Sequence, residues 1–196
     1  MLSTLTDISL TPEMKTIIWK GIVNDSLEYL NLIRQGDTFT VESKIIGASK
    51  DKIFSVNYYL KINADWTIET FDVTYEVNKI KERIFGKRNA DVWVINGLND
   101  SNFSHVKFID ISITPFTNSL PVKNLHLSIG QQQQISVIYI DILASEIKAV
   151  QQKYTRLEER VYKYENIPND FEANISIDGF GLVEFYPLLF EKTHEI

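Results

Sequence analysis

The sequence predicts an all-β, mainly antiparallel fold, and three observations lead to that prediction. Apolar and polar residues alternate through most of the 196-residue chain, as they do in strands that bury one face. Turn-forming residues interrupt this alternation about every 8–12 residues. Aromatic residues make up 12% of the chain, a content that favours strands. The combination is typical of a β-sandwich, a barrel or a rolled sheet.

The alternation can be followed along the chain. The first strand is predicted at residues 16–20, after a loose lead-in over residues 1–13. Two later segments are apolar at every second position, namely Phe54, Val56, Tyr58, Leu60 and Ile62, and then Phe71, Val73, Tyr75 and Val77. Turns are predicted at residues 86–89 and at Asn96-Gly97, a dipeptide typical of two-residue hairpins. Residues 144–157 fit either a helix or a strand, and we assign them to a strand.

The middle of the chain interrupts the strand pattern and predicts a helix. The alternation continues to Ile113, and Pro115 and Pro121 then end it because proline lacks a backbone donor. A short helix is predicted to begin here, with Ser119 as its N-cap and Pro121 in its first turn. Asn118, between the two prolines, is predicted to bond free backbone groups as a turn or cap residue.

Composition limits the classes of protein that fit the chain. No repeat and no shift in composition divides it, so one domain is predicted over residues 1–196. A net charge of −6 argues against nucleic-acid binding, and the absence of cysteine excludes disulfides, thiolate catalysis and cysteine-bound metals. The first residues lack the features of a signal peptide, and no apolar run is long enough to cross a bilayer. We therefore expect a cytoplasmic protein without stable membrane insertion.

Candidate chemistry is sparse, and Asp110 is the most informative polar residue. The three histidines are far apart and no phosphate loop or nucleophile elbow occurs, so no catalytic residue, metal site or cofactor is predicted. Asp110 lies opposite Ile109 and Ile111 in a predicted strand. If its face lines an enclosed space its pKa is raised, and otherwise it accepts hydrogen bonds from the following loop. Lys123 is expected to pack its stem and keep its ammonium in water, so that its charge adds little to folding.

The middle of the chain resembles the signature of a known family. Residues 110–125 read Asp-Ile-Ser-Ile-Thr-Pro-Phe-Thr-Asn-Ser-Leu-Pro-Val-Lys-Asn-Leu. This is similar to the runs Asp-Val-Asp-Leu and Thr-Pro-x-Thr-Asn-Thr-Leu-Pro-Ile-Arg-Arg-Leu of the glycolipid-binding family, formerly a domain of unknown function. Residues 152–156 resemble its Gln-x-Tyr-x-Arg and residues 162–164 its Tyr-x-Tyr. The sequence departs from the family at Phe108, where the family has a carboxylate, and at Asn124, where it has a second arginine.

The resemblance implies a fold, a ligand class and an assembly. The fold is a long sheet rolled spirally around one short helix, similar in shape to bacterial lipoprotein-localisation factors, and the assembly is a homodimer. The ligand is a lipophilic or amphipathic small molecule, such as a glycolipid, held in the concavity of the sheet. The predicted ligand-binding residues are Asp110, Thr117, Asn118, Lys123, Gln152, Tyr154, Arg156, Tyr162 and Tyr164.

Three functions stay open at this point. The first is the binding protein described above, and the second is an enzyme that acts on a lipid-like substrate with Asp110 as the acid–base group. The third is a dimerising scaffold without a ligand. The loss of one acid at Phe108 weakens any mechanism that needs two carboxylates. An apolar tunnel with polar groups at one end would favour the binding protein, a hydrated pocket around Asp110 the enzyme, and a closed, packed interior the scaffold.

Overall fold

The computed structural model describes residues 13–196, so the predicted lead-in over residues 1–13 lies outside the described residues except for Glu13. The strands are β1 (Met14–Gly21), β2 (Ser26–Gln35), β3 (Thr38–Ser49), β4 (Lys52–Ile62), β5 (Ile68–Val77), β6 (Ile80–Asn89), β7 (Val92–Ile95), β8 (Leu98–Asp100), β9 (Phe108–Ile111), β10 (Gln132–Asp141), β11 (Glu146–Glu158), β12 (Val161–Ile167), β13 (Glu172–Ile177), β14 (Val183–Tyr186) and β15 (Phe190–Glu195). One α-helix, α1 (Phe116–Leu125), and a short 3-10 helix at Ser101–Phe103 complete the secondary structure of the described residues.

The strands form one continuous 15-stranded sheet in the order β8-β7-β6-β5-β4-β3-β2-β1-β15-β14-β13-β12-β11-β10-β9. Neighbouring strands are antiparallel except β9 and β10, which are parallel and connected through α1. The sheet is not closed, since β8 and β9 are its two edges. The all-β, mainly antiparallel prediction and the rolled sheet around one short helix are thereby confirmed.

The sheet rolls up because its long strands bury one face, and the roll overlaps itself at β9. All four residues of β9 are buried, so both faces of this edge strand are covered. The indole Nε1 of Trp93 donates to the carbonyl oxygen of Val106 at 2.9 Å, and the backbone N–H of Ile68 donates to that of Lys107 at 3.0 Å. These bonds hold the segment before β9 against β5 and β7. The overlap makes the roll a spiral.

The helix α1 lies inside the roll and runs from one end to the other. Since consecutive strands are antiparallel, the β1–β2, β3–β4, β12–β13 and β14–β15 turns all lie at one end, where the backbone N–H of Ile22 donates to the carbonyl oxygen of Leu189 at 2.7 Å. The helix enters at this end, directly after β9, and residues 116–122 are all buried. The middle of the roll is therefore filled.

The helix begins four residues before the predicted start, so the prediction of Ser119 as N-cap is wrong. The side-chain oxygen of Thr114 accepts a hydrogen bond from the backbone N–H of Phe116 at 3.1 Å, which satisfies the donor of the first helical residue. Ser119 instead lies within the helix, and its Oγ accepts a bond from the backbone N–H of Val183 at 3.0 Å. Pro121 stands inside the helix and not in its first turn. A local bond to Thr114 thus serves the start of the helix, and the Ser119 hydroxyl makes a tertiary contact instead.

Three further turn and strand predictions have different outcomes. Asn96-Gly97 forms the predicted two-residue hairpin between β7 and β8, with φ of 50° and 85°. The turn predicted at residues 86–89 is wrong, because β6 continues through it. A Cβ at Gly86 would lie 2.3 Å from the ring of Phe71, so packing and not a turn requires this glycine. Residues 144–157 belong mostly to β11, as predicted.

Candidate functional site

A cleft opens into the roll at the end where α1 begins. Its volume is about 380 Å³. Polar side chains from β9, α1 and β11 form its floor, and aromatic side chains from β10, β12, β14 and β15 form much of its wall. We call this space the Asp110 cleft.

The floor is a buried hydrogen-bond network around Asp110. Gln152 Nε2 donates to Asp110 Oδ2 at 2.6 Å, and Thr117 Oγ1 donates to Asp110 Oδ1 at 3.2 Å. The hydroxyl of Tyr154 donates to Gln152 Oε1 at 3.3 Å and accepts a bond from Asn118 Nδ2 at 2.9 Å. The network joins β9, α1 and β11, so it fixes the position of each polar group relative to the cleft.

Asp110 is buried, and no cationic side chain among residues 13–196 pairs with it. Burial raises the pKa of Asp110, and the hydrogen bonds from Gln152 and Thr117 partly offset that rise. Thr117 belongs to α1 and not to a loop, so the expected bond from the following loop is made by a helical residue instead. Asp110 also lines the cleft, which is the condition set above for a raised pKa.

The wall of the cleft is aromatic. The ring of Tyr186 lies 6.0 to 6.3 Å, between centroids, from three others, namely Tyr164, Phe171 and Phe190. Burial raises the pKa of Tyr139, Tyr164 and Tyr186, and the negative charge of Asp110 adds to each rise. Tyr139 is the register partner of Asp110 in the parallel β9–β10 pair. Three tyrosines therefore line the same cleft as the carboxylate.

Three of the predicted binding residues lie at the opposite end, where α1 finishes. Lys123, Arg156 and Tyr162 line a separate hollow of about 460 Å³. The guanidinium of Arg156 donates to the carbonyl oxygens of Leu127, Glu158 and Glu159, so its donors are engaged by the backbone. Arg156 therefore stabilises turns at this end of the roll.

The expected surface role of Lys123 is wrong. Its Nζ donates to the carbonyl oxygen of Phe180 at 2.6 Å and lies 4.2 Å and 4.8 Å from the ring centroids of Phe180 and Trp66. Burial lowers the pKa of Lys123, and the charges of Asp178 and Glu13 oppose that change. The half-buried ammonium contacts a carbonyl and two rings, so its charge contributes to folding.

The predicted site residues therefore divide into two groups. Asp110, Asn118, Gln152 and Tyr164 line the Asp110 cleft, and Thr117 and Tyr154 support its floor. Asn118 bonds to Tyr154 and not to free backbone groups, so its prediction as a turn or cap residue is wrong. Tyr139, Phe171 and Tyr186 of the wall were not among the predicted site residues. For the two tyrosines the available signal is an inward position in a strand, which does not distinguish a cleft from a core.

A second buried carboxyl group, Glu28, was also missed. Its Oε1 accepts bonds from the hydroxyls of Tyr58 and Ser43 at 2.5 and 2.7 Å, whereas its Oε2 has no partner among residues 13–196. Burial raises the pKa of Glu28 to about 7, against the opposing effect of these bonds. The Tyr58 hydroxyl lies 3.2 Å from Thr114 Oγ1, and Thr114 lines the Asp110 cleft. The sequence does contain a signal for this buried carboxyl group, because Glu28 shares the inward face of β2 with Ser26 and Leu30.

A larger groove, of about 970 Å³, lies outside the roll. It is lined by exposed parts of β2, β3 and β4, including Leu27, Ile46 and Ile53. None of its acidic residues is buried, and it holds no network comparable with that of Asp110. We therefore take the smaller cleft as the candidate site.

Within residues 13–196, no group of three or more His, Asp or Glu side chains is placed to bind a metal ion. In the same part of the chain, no helix has the length and apolar character needed to cross a bilayer.

Comparison with known proteins relates the chain to one family and to two solved structures. The family model described as "Putative glycolipid-binding" matches residues 16–192. A DUF1089 family protein from Pseudomonas aeruginosa has a similar crystal structure, with 29% identity, a TM-score of 0.76, and coverage of 85% of this chain and 92% of that chain. No curated protein matches the chain.

The second structure is similar in fold alone. It is a β-barrel-like protein of the domain of unknown function DUF1849 from Brucella abortus, with 7% identity and a TM-score of 0.53. The match covers 95% of this chain and 98% of that chain, so the likeness extends over the whole sheet.

Proposed function

The chain belongs to the glycolipid-binding family, and from that premise we propose that it binds a small amphipathic molecule in the Asp110 cleft. The observation that carries the proposal is the buried polar network at the floor of a cleft whose wall is aromatic. Ligand sites in proteins combine an apolar, aromatic lining with a few fixed polar groups in this way.

The floor suits a head group that bears hydroxyl groups. Asp110 and Gln152 present acceptor lone pairs, and the Tyr186 hydroxyl, which bonds to none of the described residues, is available as donor or acceptor. A hydroxyl both donates and accepts, so it matches this mixture of groups. The surrounding rings offer apolar surfaces on which the carbon atoms of the same head group would pack.

The mouth suits an apolar tail. Ile167, Phe171 and Leu189 line the cleft where it meets solvent, and Phe171 is 37% exposed. A volume of about 380 Å³ is at the small end of the range for ligand sites, so the tail leaves across this apolar rim. The helix α1 fills the interior beyond the cleft, so the roll does not contain the apolar tunnel that would favour a binding protein. The proposal rests on the cleft instead.

The proposal is tested by displacing a hydrophobic dye with decyl maltoside, a neutral sugar amphiphile. Phe171→Ala removes an exposed part of the wall and is expected to weaken maltoside binding about tenfold, the loss of one aromatic contact. Phe185→Ala is the matched control, because Phe185 is 41% exposed but does not line the cleft. Native mass spectrometry of freshly purified protein should also detect a retained amphiphile as added mass. Equal effects of the two variants would contradict the proposal.

A second candidate is an enzyme that acts on a lipid-like substrate with Asp110 as acid–base group. The observation in its favour is that burial raises the pKa of a carboxyl group that lines an open cleft. It ranks second because both oxygens of Asp110 already accept hydrogen bonds. Turnover of short-chain glycolipids that is lost in Asp110→Asn, while binding is kept, would move it to first place.

We also propose a homodimer, as the family resemblance implies. Exposed apolar residues on the outer face of β2 and β3, such as Leu27, Tyr29 and Ile46, support it. Sedimentation velocity should give twice the chain mass of 22.7 kDa, and a monomer at micromolar concentration would contradict it.

A further inference from the structure

We propose that the Asp110 cleft selects head groups that carry a positively charged nitrogen, with Asp110 as the negative charge that recognises them. The inference rests on the proposed function, because it names the head group that the same cleft takes. It follows from three features of the site: a buried carboxylate without a cationic partner among residues 13–196, an aromatic wall, and the scarcity of basic residues in the lining.

The first feature is the absence of a counter-charge for Asp110. A buried carboxylate is costly unless a cation pairs with it. Asp110 is 8% exposed, and its hydrogen-bond partners, Gln152 and Thr117, are both neutral. Buried Glu165 is different, because Lys153 and Lys163 lie 2.9 and 3.5 Å from its oxygens.

Glu28 is also buried without a cation, but it does not line the cleft. It is a neutral acid below a pH of about 7, whereas Asp110 faces an open space from which a cation can approach. The geometry therefore gives Asp110, and not Glu28, access to a charge supplied by a ligand.

The second feature is the aromatic wall. The faces of tyrosine and phenylalanine rings attract cations, and desolvated sites of this kind recognise quaternary ammonium groups. Tyr139, Tyr164 and Tyr186 line the same cleft as Asp110, and Tyr139 is its register partner on β10. The rim already holds one cation in this manner, since the ammonium of Lys148 lies 5.8 Å from the centroid of the Tyr139 ring.

The third feature is the near absence of basic residues. Lys148 is the one basic residue of the described chain that lines the cleft, and it pairs with Glu146 at 3.1 Å. Lys123 and Arg156, two of the predicted ligand-binding residues, lie at the other end of the roll. An anionic head group would therefore meet Asp110 without compensation.

The test compares choline with 3,3-dimethylbutan-1-ol, which has the same shape without the charge. Binding of each is measured by nuclear magnetic resonance titration of the tyrosine ring signals. We expect the wild-type protein to bind choline about tenfold more tightly, the scale of one desolvated cation–π contact beside a carboxylate. Equal affinities would overturn the proposal.

Two variants and a control assign the preference to Asp110. Asp110→Asn should reduce the affinity ratio to about two. Asp110→Asn combined with Gln152→Glu moves the carboxylate across the 2.6 Å hydrogen bond and should restore the preference. Glu165→Gln is the control, since Glu165 lies on β12 between two cleft residues but is absent from the lining. A ratio that is unchanged in Asp110→Asn, or lost equally in Glu165→Gln, would overturn the proposal.

Decyl maltoside distinguishes the failure of this inference from that of the proposed function. If the wild-type protein binds maltoside but shows no preference for choline, only the charge selection is wrong. If it binds neither maltoside nor choline, the proposed function is wrong as well. Decyl sulfate, the anionic probe, should bind more weakly than decyltrimethylammonium, and the reverse order would also overturn the inference.

Discussion

Glu28 and Asp110 are both buried carboxyl groups on the inner side of the roll, but their surroundings differ. Glu28 has one oxygen that accepts two bonds and one without a partner among the described residues, and burial raises its pKa to about 7. Asp110 has a bond at each oxygen and lines a cleft. The comparison teaches that burial alone does not define a site. Access and complete hydrogen bonding separate a carboxylate that can meet a ligand from one that only costs stability.

The largest expected effect concerns Glu28 and the pH dependence of stability. The pKa of Glu28 is about 7 in the folded protein and 4.5 ordinarily. The stabilisation of the fold by protonated Glu28 is therefore fully present below pH 4.5 and is lost as pH rises through 7. This difference corresponds to about 3 kcal/mol. Glu28→Gln should remove the loss, so that the free energy of unfolding of the variant rises relative to wild type by about that amount between pH 4.5 and pH 8. Urea unfolding at both pH values measures it.

The control for this prediction is Glu42→Gln, which changes an exposed carboxyl group on β3. It should follow the wild-type pH profile. Parallel profiles for Glu28→Gln and wild type would show that Glu28 titrates normally, and the contrast with Asp110 would then disappear.

The next effect concerns the bonds of Asp110. Asp110→Ala leaves the side-chain donors of Gln152 and Thr117 without their acceptor, and we expect it to cost about 2 kcal/mol at pH 7. Asp110→Asn should cost less, because its carbonyl oxygen still accepts one of the bonds. Denaturant unfolding compares the two variants, and equal stability of both would indicate that the network contributes little.

Asn118 gives a smaller effect of the same kind. Asn118→Ala removes the bond to the Tyr154 hydroxyl and should cost about 1–2 kcal/mol. Because the bond joins these two side chains, Tyr154→Phe should cost a similar amount, and the double variant should cost less than the sum. Additive costs would mean that Asn118 acts on the backbone, as the sequence first indicated.

The smallest expected effect on stability is at Tyr186. Its hydroxyl bonds to none of the described residues, and Tyr186→Phe keeps the ring, so stability should change by less than about 0.5 kcal/mol. Decyl maltoside should nevertheless bind about fivefold more weakly, because the head group loses a hydrogen-bond partner. A large change in melting temperature would make Tyr186 a structural residue and not a part of the site.

Much of the fold follows from local properties of the sequence. The alternation over residues 54–62 predicts β4 because side chains of a strand point to opposite faces, and that rule needs no knowledge of the partner strands. The Asn96-Gly97 hairpin follows from the positive φ that both residues tolerate. The placement of a helix between β9 and β10 follows from the break in alternation at Pro115, although its first residue does not.

The site depends on properties that are not local. Gln152 and Arg156 occupy the same face of β11, but four residues of a strand span about 13 Å, which puts them at different ends of the roll. Tyr139 adjoins Asp110 only because β9 and β10 are paired in parallel across the helix.

The sequence by itself determined most of the strands and the approximate place of the helix, because each depends on neighbours along the chain. The tertiary structure decided which polar groups meet: Asp110 with Gln152, Lys123 with the rings of Phe180 and Trp66, and Glu28 with Tyr58. The physical reason is that the rolled sheet brings together side chains from distant strands, and the register that does so is set by the packing of the whole sheet around α1.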